Sequence, residues 1–308
     1  MTQSADKTVV FLMGPTASGK TDLAIELSHK FKARLISVDS ALIYKGMNIG
    51  SAKPDSNTLE KYPHHLIDIC EPEEAYSAHD FAKDAKAQIQ LACDNGETPI
   101  LVGGTSFYFH ALEHGLSDLP KSTTESRKKF NRLLKEKGSA ALHDDLKKID
   151  PKAAERLHPN DAQRVTRALE VFDISGKTLS DLQGNKQQGL NRPIKKIILM
   201  PSRNELHQRI EARFLSTMDD GFLAEVEQLK QNPNLHEDLP SIRCVGYRQA
   251  WQHLNGDINQ DAMIELAIIA TRQLCKRQST WLNGEQNALF LEKSHVEAAM
   301  SFIQEQSS

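Results

Sequence analysis

Cysteine is scarce in this chain, no stretch is apolar over the length of a membrane span, and positive charge is not in excess. Each scarcity removes a class of protein. The four cysteines among 308 residues, Cys70, Cys93, Cys244 and Cys275, lack paired metal-ligand spacing and are too sparse for a disulfide framework. They are expected to be reduced thiols in a cytoplasmic protein. The early hydrophobic run is short and leads straight into a glycine-rich turn, so neither a signal peptide nor membrane attachment is expected. With a formal net charge of −3, a nucleic-acid partner has to be met by local basic patches. Internal repeats are missing too, while 39% hydrophobic residues suffice for a core in one large or two ordinary domains.

What is present begins with GPTASGKT, residues 14–21, between an apolar run and a helical pattern. This is a complete P-loop. Gly14, Pro15, Thr16, Ala17, Ser18 and Gly19 let the backbone curl so that N–H groups converge on phosphate oxygens, and the next helix aims its positive dipole end at them. Lys20 would reach the terminal phosphates and Thr21 a Mg²⁺ ion. The loop is expected to accept a polyphosphate such as ATP or a diphosphate, and by itself it does not choose between them.

Along the chain, residues 34–38 read as a buried parallel strand that delivers Asp39 to its C-terminal edge, where open α/β sheets bind ligands. Residues 64–69 read as a third strand, Ser77 to Asp80 has capping-box form before a helix to about Asn95, and residues 98–102 read as a fourth strand. Strands alternating with helices predict a P-loop-type doubly wound parallel sheet. The fourth strand lacks the Mg²⁺-associated Asp of many ATPases and ends in Gly103, Gly104 and Thr105. Thr105 is either a ligand hydroxyl or a cap for its own helix. Charged helical sequence then fills residues 116–191, an insertion between a first part of the core, 1–115, and its completion by one strand and C-terminal helices, 192–308. A basic helix from Thr124 to Lys137 is either a solvated face or a phosphate-binding one. A helix over 161–175 has an apolar face of Val165, Ala168, Leu169 and Phe172 and a polar face of Gln163, Arg167 and Glu170. Residues 194–200 form the returning strand; helices follow over 205–218, 222–231, 245–254 and 261–282. The last has an apolar stripe of Met263, Leu266, Ala267, Ala270 and Leu274, and Phe222 and Trp251 are expected in the core.

Seven stretches, taken in order, resemble the bacterial tRNA dimethylallyltransferases, also called isopentenyl-diphosphate:tRNA transferases. They are GPTASGKT (14–21), SVDSALIYKGMNIGSAKP (37–54), LVGGTSFYFHAL (101–112), HPNDAQRVTRALEV (158–171), LHQRIEARF (206–214), LPSIRCVGYRQ (239–249) and ATRQLCKRQSTWL (270–282). The resemblance implies transfer of a dimethylallyl group from its diphosphate to N6 of the adenosine 3′ of the tRNA anticodon, at position 37, by a monomer using Mg²⁺. It implies Asp39 as general base, Thr105 and Arg127 as further catalytic groups, and Arg213 beside the P-loop as a diphosphate ligand. It also implies contacts with the anticodon stem-loop from Asp39, Ser40, Ala41 and Leu42, from Thr105 and Arg127, and from Gln163, Arg164, Val165, Thr166 and Arg167. Further contacts are implied for Arg243, Cys244, Val245, Gly246, Tyr247 and Arg248, and for Lys276, Arg277, Gln278, Ser279, Thr280, Trp281 and Leu282. Two other readings compete: a P-loop kinase of a small molecule or nucleotide with the insertion as lid, and a non-catalytic P-loop switch or RNA-binding module.

Overall fold

A computed structural model describes residues 8–184 and 188–305. The chain divides into two compact units, Met1–Glu113 with Leu190–Ser308, and His114–Gly189. In the first unit, Val9–Met13 (β1) is buried at every position, as five consecutive apolar residues require of a strand covered on both faces. The P-loop follows, then Lys20–Ser28 (α1), whose Leu23, Ala24 and Leu27 pack on Val10 and Leu12. Next come Ala33–Val38 (β2), Ser56–Lys61 (α2), His64–His65 (β3), Ala78–Asp94 (α3), Thr98–Gly103 (β4) and Ser106–His114 (α4). The capping box of α3 is formed by Ser77 and Asp80, a device that contributes about 1 kcal/mol. On the sheet's other face, Phe81 and Ile89 of α3 and Phe109 and Leu112 of α4 pack against Phe11, Ile36 and Leu101.

The second unit is helical: Thr124–Ile149 (α5), Pro151–Arg156 (α6), Ala162–Ser175 (α7) and Leu179–Leu182 (α8). α5 is interrupted at Gly138, whose φ of 78° no helix accommodates, so its basic first half ends where the sequence suggested. Its core joins Phe130, Leu142 and Leu146 to Val165, Ala168 and Leu169. Two positions of α7 depart from the expected faces. Phe172 is 37% exposed, whereas Glu170 is only 7% exposed, because its carboxylate accepts from Ser122 Oγ and pairs with Arg167.

The chain returns through Ile194–Leu199 (β5), then Arg203–Asp219 (α9), Phe222–Lys230 (α10), Tyr247–Leu254 (α11), Gln260–Leu282 (α12), Ala288–Leu291 (β6) and Val296–Gln304 (α13). Among the described residues six strands form one sheet in the order β3-β2-β4-β1-β5-β6, parallel throughout. The core is thus completed by two strands, not one. β6 is a short edge strand with half-exposed residues, which leaves no apolar run to read.

The third strand shrinks to β3. Leu66 and Asp68 take positive φ, and the backbone of 68–70 bonds residues 42–45 instead of the sheet. α11 starts at Tyr247, after Gly246 at φ 91°. On α12 the buried stripe is Met263, Ala267, Ile268, Cys275 and Leu282, while Leu266 is 42% exposed. Phe222 and Trp251 lie in the core as expected.

One register matters for the site. Gly103 pairs with Met13 on one side and Val38 on the other, so the loops leaving β1, β4 and β2 emerge level. A Cβ at Gly103 would fall 2.0 Å from the Val38 carbonyl, so only glycine permits this approach.

Candidate active site

Three loops meet at the C-terminal edge of the sheet, where a crevice between parallel strands is the expected ligand position. The first is the P-loop. Ala17 (φ 65°) and Gly19 (φ 90°) bend it, and Gly19 caps α1. Ser18 Oγ is buried and has no hydrogen-bond partner, an orphaned polar atom of the kind a bound anion would satisfy. Lys20 Nζ donates to the Pro15 carbonyl at 3.2 Å, folded over its own loop. Burial lowers the Lys20 pKa to about 8; the charge of Asp39 raises it, and that of Arg213 lowers it further.

The second loop carries Asp39. Its Oδ1 accepts from the N–H groups of Ala41 (2.8 Å) and Leu42 (3.3 Å), an Asx-type turn that fixes the carboxylate's direction. The charge of Asp39 is felt by Lys20, by Arg213, by the Tyr108 hydroxyl and by the Cys244 thiol, which burial and Asp39 push up to about 12. The third loop holds Thr105. Its Oγ1 accepts from Ser40 N–H at 3.1 Å, tying the ends of β2 and β4 together, while its carbonyl accepts from Tyr108 N–H. The hydroxyl is therefore engaged by the loop after β2 and not by its own helix.

Helix α9 supplies the cations. Arg213 donates to Thr16 Oγ1 at 2.7 Å, and burial lowers its pKa against the opposing pull of Asp39. One turn earlier, Arg209 donates to the carbonyls of Ala17 and Ser18. A cavity of about 630 Å³ lies against the P-loop, with Lys20, Arg209, Arg213 and Lys293 in its lining and Asp22 as the acidic member. Arg209 and Lys293 were missed from the sequence. Arg209 was findable, since four residues separate it from Arg213 on one helix face; Lys293 follows a segment without a motif.

Around this centre, Arg243, Arg248, Lys276 and Arg277 are exposed, whereas Gly246, Tyr247 and Leu282 are buried. The Tyr247 hydroxyl donates to Glu225, whose carboxylate also accepts the N–H groups of Asn48, Ile49 and Gly50. Cys244, Val245, Ser279 and Trp281 are half-buried, Thr280 is exposed, and the amide of Gln278 bonds two of the loops. In the second unit Arg127, Gln163 and Arg164 are exposed, Val165 and Thr166 are buried, and Arg167 donates to Ser122 Oγ and the Pro120 carbonyl. Among the described residues no group of three or more His, Cys, Asp or Glu side chains can hold a metal ion. A Mg²⁺ ion does not need one: it keeps several waters and takes one or two protein oxygens plus phosphate oxygens, a set the Thr21 hydroxyl fits.

These features define a protein of P-loop-like α/β fold, with a glycine-rich loop of phosphate-binding type at the end of a parallel sheet and a turn-held carboxylate near its lysine. The family model described as IPP transferase matches residues 42–285. Proteins called tRNA dimethylallyltransferase from Ruthia magnifica subsp. Calyptogena magnifica and Vesicomyosocius okutanii subsp. Calyptogena okutanii (strain HA) are 70% and 68% identical, each over 97% of this chain and 98% of the relative. The full-length tRNA isopentenylpyrophosphate transferase of Bacillus halodurans is similar with a TM-score of 0.69 and 31% identity, over 97% of this chain and 95% of that one. A eukaryotic dimethylallyltransferase acting on tRNA gives a TM-score of 0.74 and 27% identity, over 92% of this chain and 74% of that one. The chain belongs to the IPP transferase family. The family model begins three residues past Asp39, so the P-loop and Asp39 are identified by their own sequence and geometry.

Proposed function

We propose that this chain transfers a dimethylallyl group from dimethylallyl diphosphate to N6 of adenosine at position 37 of tRNA, releasing diphosphate. The observation that carries the reading is the pairing of a cationic P-loop cradle with an oriented carboxylate at one sheet edge. An exocyclic adenine amine is a weak nucleophile because its lone pair is delocalised into the ring. Asp39, held by its turn, accepts the N6 proton as the N–C bond forms. The C–O bond to the diphosphate breaks at the same time, and its electrons leave with the diphosphate. P-loop N–H groups, Lys20 and Arg213 meet the developing charge, with Arg127 and Thr105 as further contributors. Mg²⁺ held by Thr21 would neutralise phosphate charge.

Because a stacked adenine cannot enter such a site, the base is splayed out of the anticodon loop, the usual mode of sequence-specific RNA recognition. The exposed cations Arg243, Arg248, Lys276 and Arg277, and the second unit through Gln163, Arg164 and the basic half of α5, hold the stem-loop. The reading takes a monomer in the cytoplasm. Among the described residues no helix is long and apolar enough to cross a membrane.

The test is a nucleoside mass spectrum of tRNA incubated with the protein, dimethylallyl diphosphate and Mg²⁺, without ATP. N6-(dimethylallyl)adenosine is the expected product. A requirement for ATP, or release of ADP in step with product, would overturn the transferase reading in favour of a kinase, which the named relatives already disfavour.

A further inference from the structure

A single side-chain amide joins the two halves of this site. Gln278, half-buried on α12, accepts the Thr16 N–H through Oε1 at 2.9 Å and donates through Nε2 to the Gly104 carbonyl at 2.9 Å. A backbone donor on one side and a backbone acceptor on the other fix the amide's orientation, since the flipped amide would face donor to donor. Gly104 makes room for it: a Cβ there would lie 2.6 Å from Gln278 Nε2 and 3.0 Å from the Gly14 carbonyl. The amide closes an unbroken chain of bonds. Arg213 binds Thr16 Oγ1, Thr16 N–H binds Gln278, Gln278 binds Gly104, and the adjoining Thr105 receives Ser40 N–H beside Asp39.

We infer that Gln278 is a positioning residue that sets the distance between the diphosphate cradle and the shelf bearing Thr105 and the Asp39 turn. The inference rests on the transferase reading given above. Group transfer needs the amine, the carbon and the departing oxygen in line, and a displacement of about 1 Å can cost roughly a hundredfold in rate. The cradle holds the departing oxygen and the Asp39 shelf holds the amine, so a strut between them controls that alignment. Lys276 and Arg277, its exposed neighbours, are free to meet RNA while Gln278 is engaged with the loops.

The experiment compares full-length wild type, Gln278→Ala and Gln278→Glu by three readouts: inorganic pyrophosphate affinity without RNA, anticodon stem-loop affinity without diphosphate, and single-turnover rate at saturation. For Gln278→Ala the expected result is a rate lowered by about 10–100-fold, weakened pyrophosphate binding, and stem-loop affinity within roughly twofold of wild type. For Gln278→Glu, the ionised carboxylate repels the Gly104 carbonyl, whereas the protonated acid reproduces both bonds, so the rate relative to wild type rises as pH falls. A wild-type rate in Gln278→Ala overturns the inference. So does a loss of stem-loop affinity with the saturated rate unchanged, which makes Gln278 an RNA contact. Should Gln278→Ala fail to fold, a pH-independent ratio for Gln278→Glu overturns it instead. Wild-type protein that binds pyrophosphate yet prenylates nothing refutes the transferase reading itself.

Discussion

Asp39 does two jobs with one carboxylate, and the choice of substitution separates them. Its Oδ1 holds the turn to Ala41 and Leu42, so alanine removes both the base and the turn. Asparagine keeps an oxygen for those N–H groups and loses only basicity. Asp39→Asn is expected to cut single-turnover rate by about 10²–10⁴-fold with stem-loop affinity unchanged; wild-type turnover would remove Asp39 from the role of base. Lys20 leads to a pH prediction. Burial sets its free pKa at about 8, and a bound diphosphate raises it, so binding takes up a proton once the free lysine has begun to lose its own. Pyrophosphate affinity should therefore hold steady below pH 8 and fall by up to about tenfold per unit above it, until the pKa of the complex is passed. Calorimetry in buffers of different ionisation enthalpy reads the proton uptake directly. In Lys20→Met the slope should vanish along with most of the affinity.

At the scale of elements, α9 and α12 convert a generic phosphate loop into a particular site, one with Arg209 and Arg213, the other with Gln278. The P-loop was legible in the sequence because its chemistry is local, with strand, glycine turn and helix in one short stretch. Asp39 was legible for the same reason, as the residue that ends a β-branched run. The Gln278 crosslink was not, because its partners lie 262 and 174 residues away and helix periodicity reports only which face is apolar. β6 and the false length of β3 failed for a related reason: short edge strands and segments that pair with loops carry no distinctive alternation. The basic half of α5 is the element on which the tRNA reading can be weighed. Lys129 is already paired with Asp173, whereas Lys128 is exposed and Arg132 makes a long, solvent-exposed pair with Glu136. Neutralising Lys128 and Arg132 together should weaken stem-loop binding and lower its salt slope by about 1–2, leaving pyrophosphate affinity untouched. An unchanged slope would make α5 an ordinary solvated face.

For the whole molecule, the point where the chain leaves the first unit and the point where it returns are hydrogen-bonded to each other, Leu190 N–H to the Leu112 carbonyl at 2.8 Å. Replacing residues 114–189 with a short glycine–serine linker should therefore leave a folded sheet that still binds pyrophosphate, because shortening a loop changes closure entropy by only about 0.6 kcal/mol per halving. Transfer to RNA should be lost. Circular dichroism and calorimetry check the first part, and an aggregated product would show that the first unit depends on the insertion. The strand order also imposes a schedule on synthesis. β1 pairs with β4 on one side and with β5 on the other, and β5 is translated only after the whole insertion. At about 5–20 residues per second, the roughly hundred residues from the end of β4 to the end of β5 keep the strand that feeds the P-loop waiting on the ribosome for about 5–20 s with one edge unpaired. During that wait its unpaired backbone N–H and C=O groups and its apolar side chains are open to neighbouring nascent chains, so the yield of native protein should be governed by translation rate and chaperone supply more than by the stability of the finished fold.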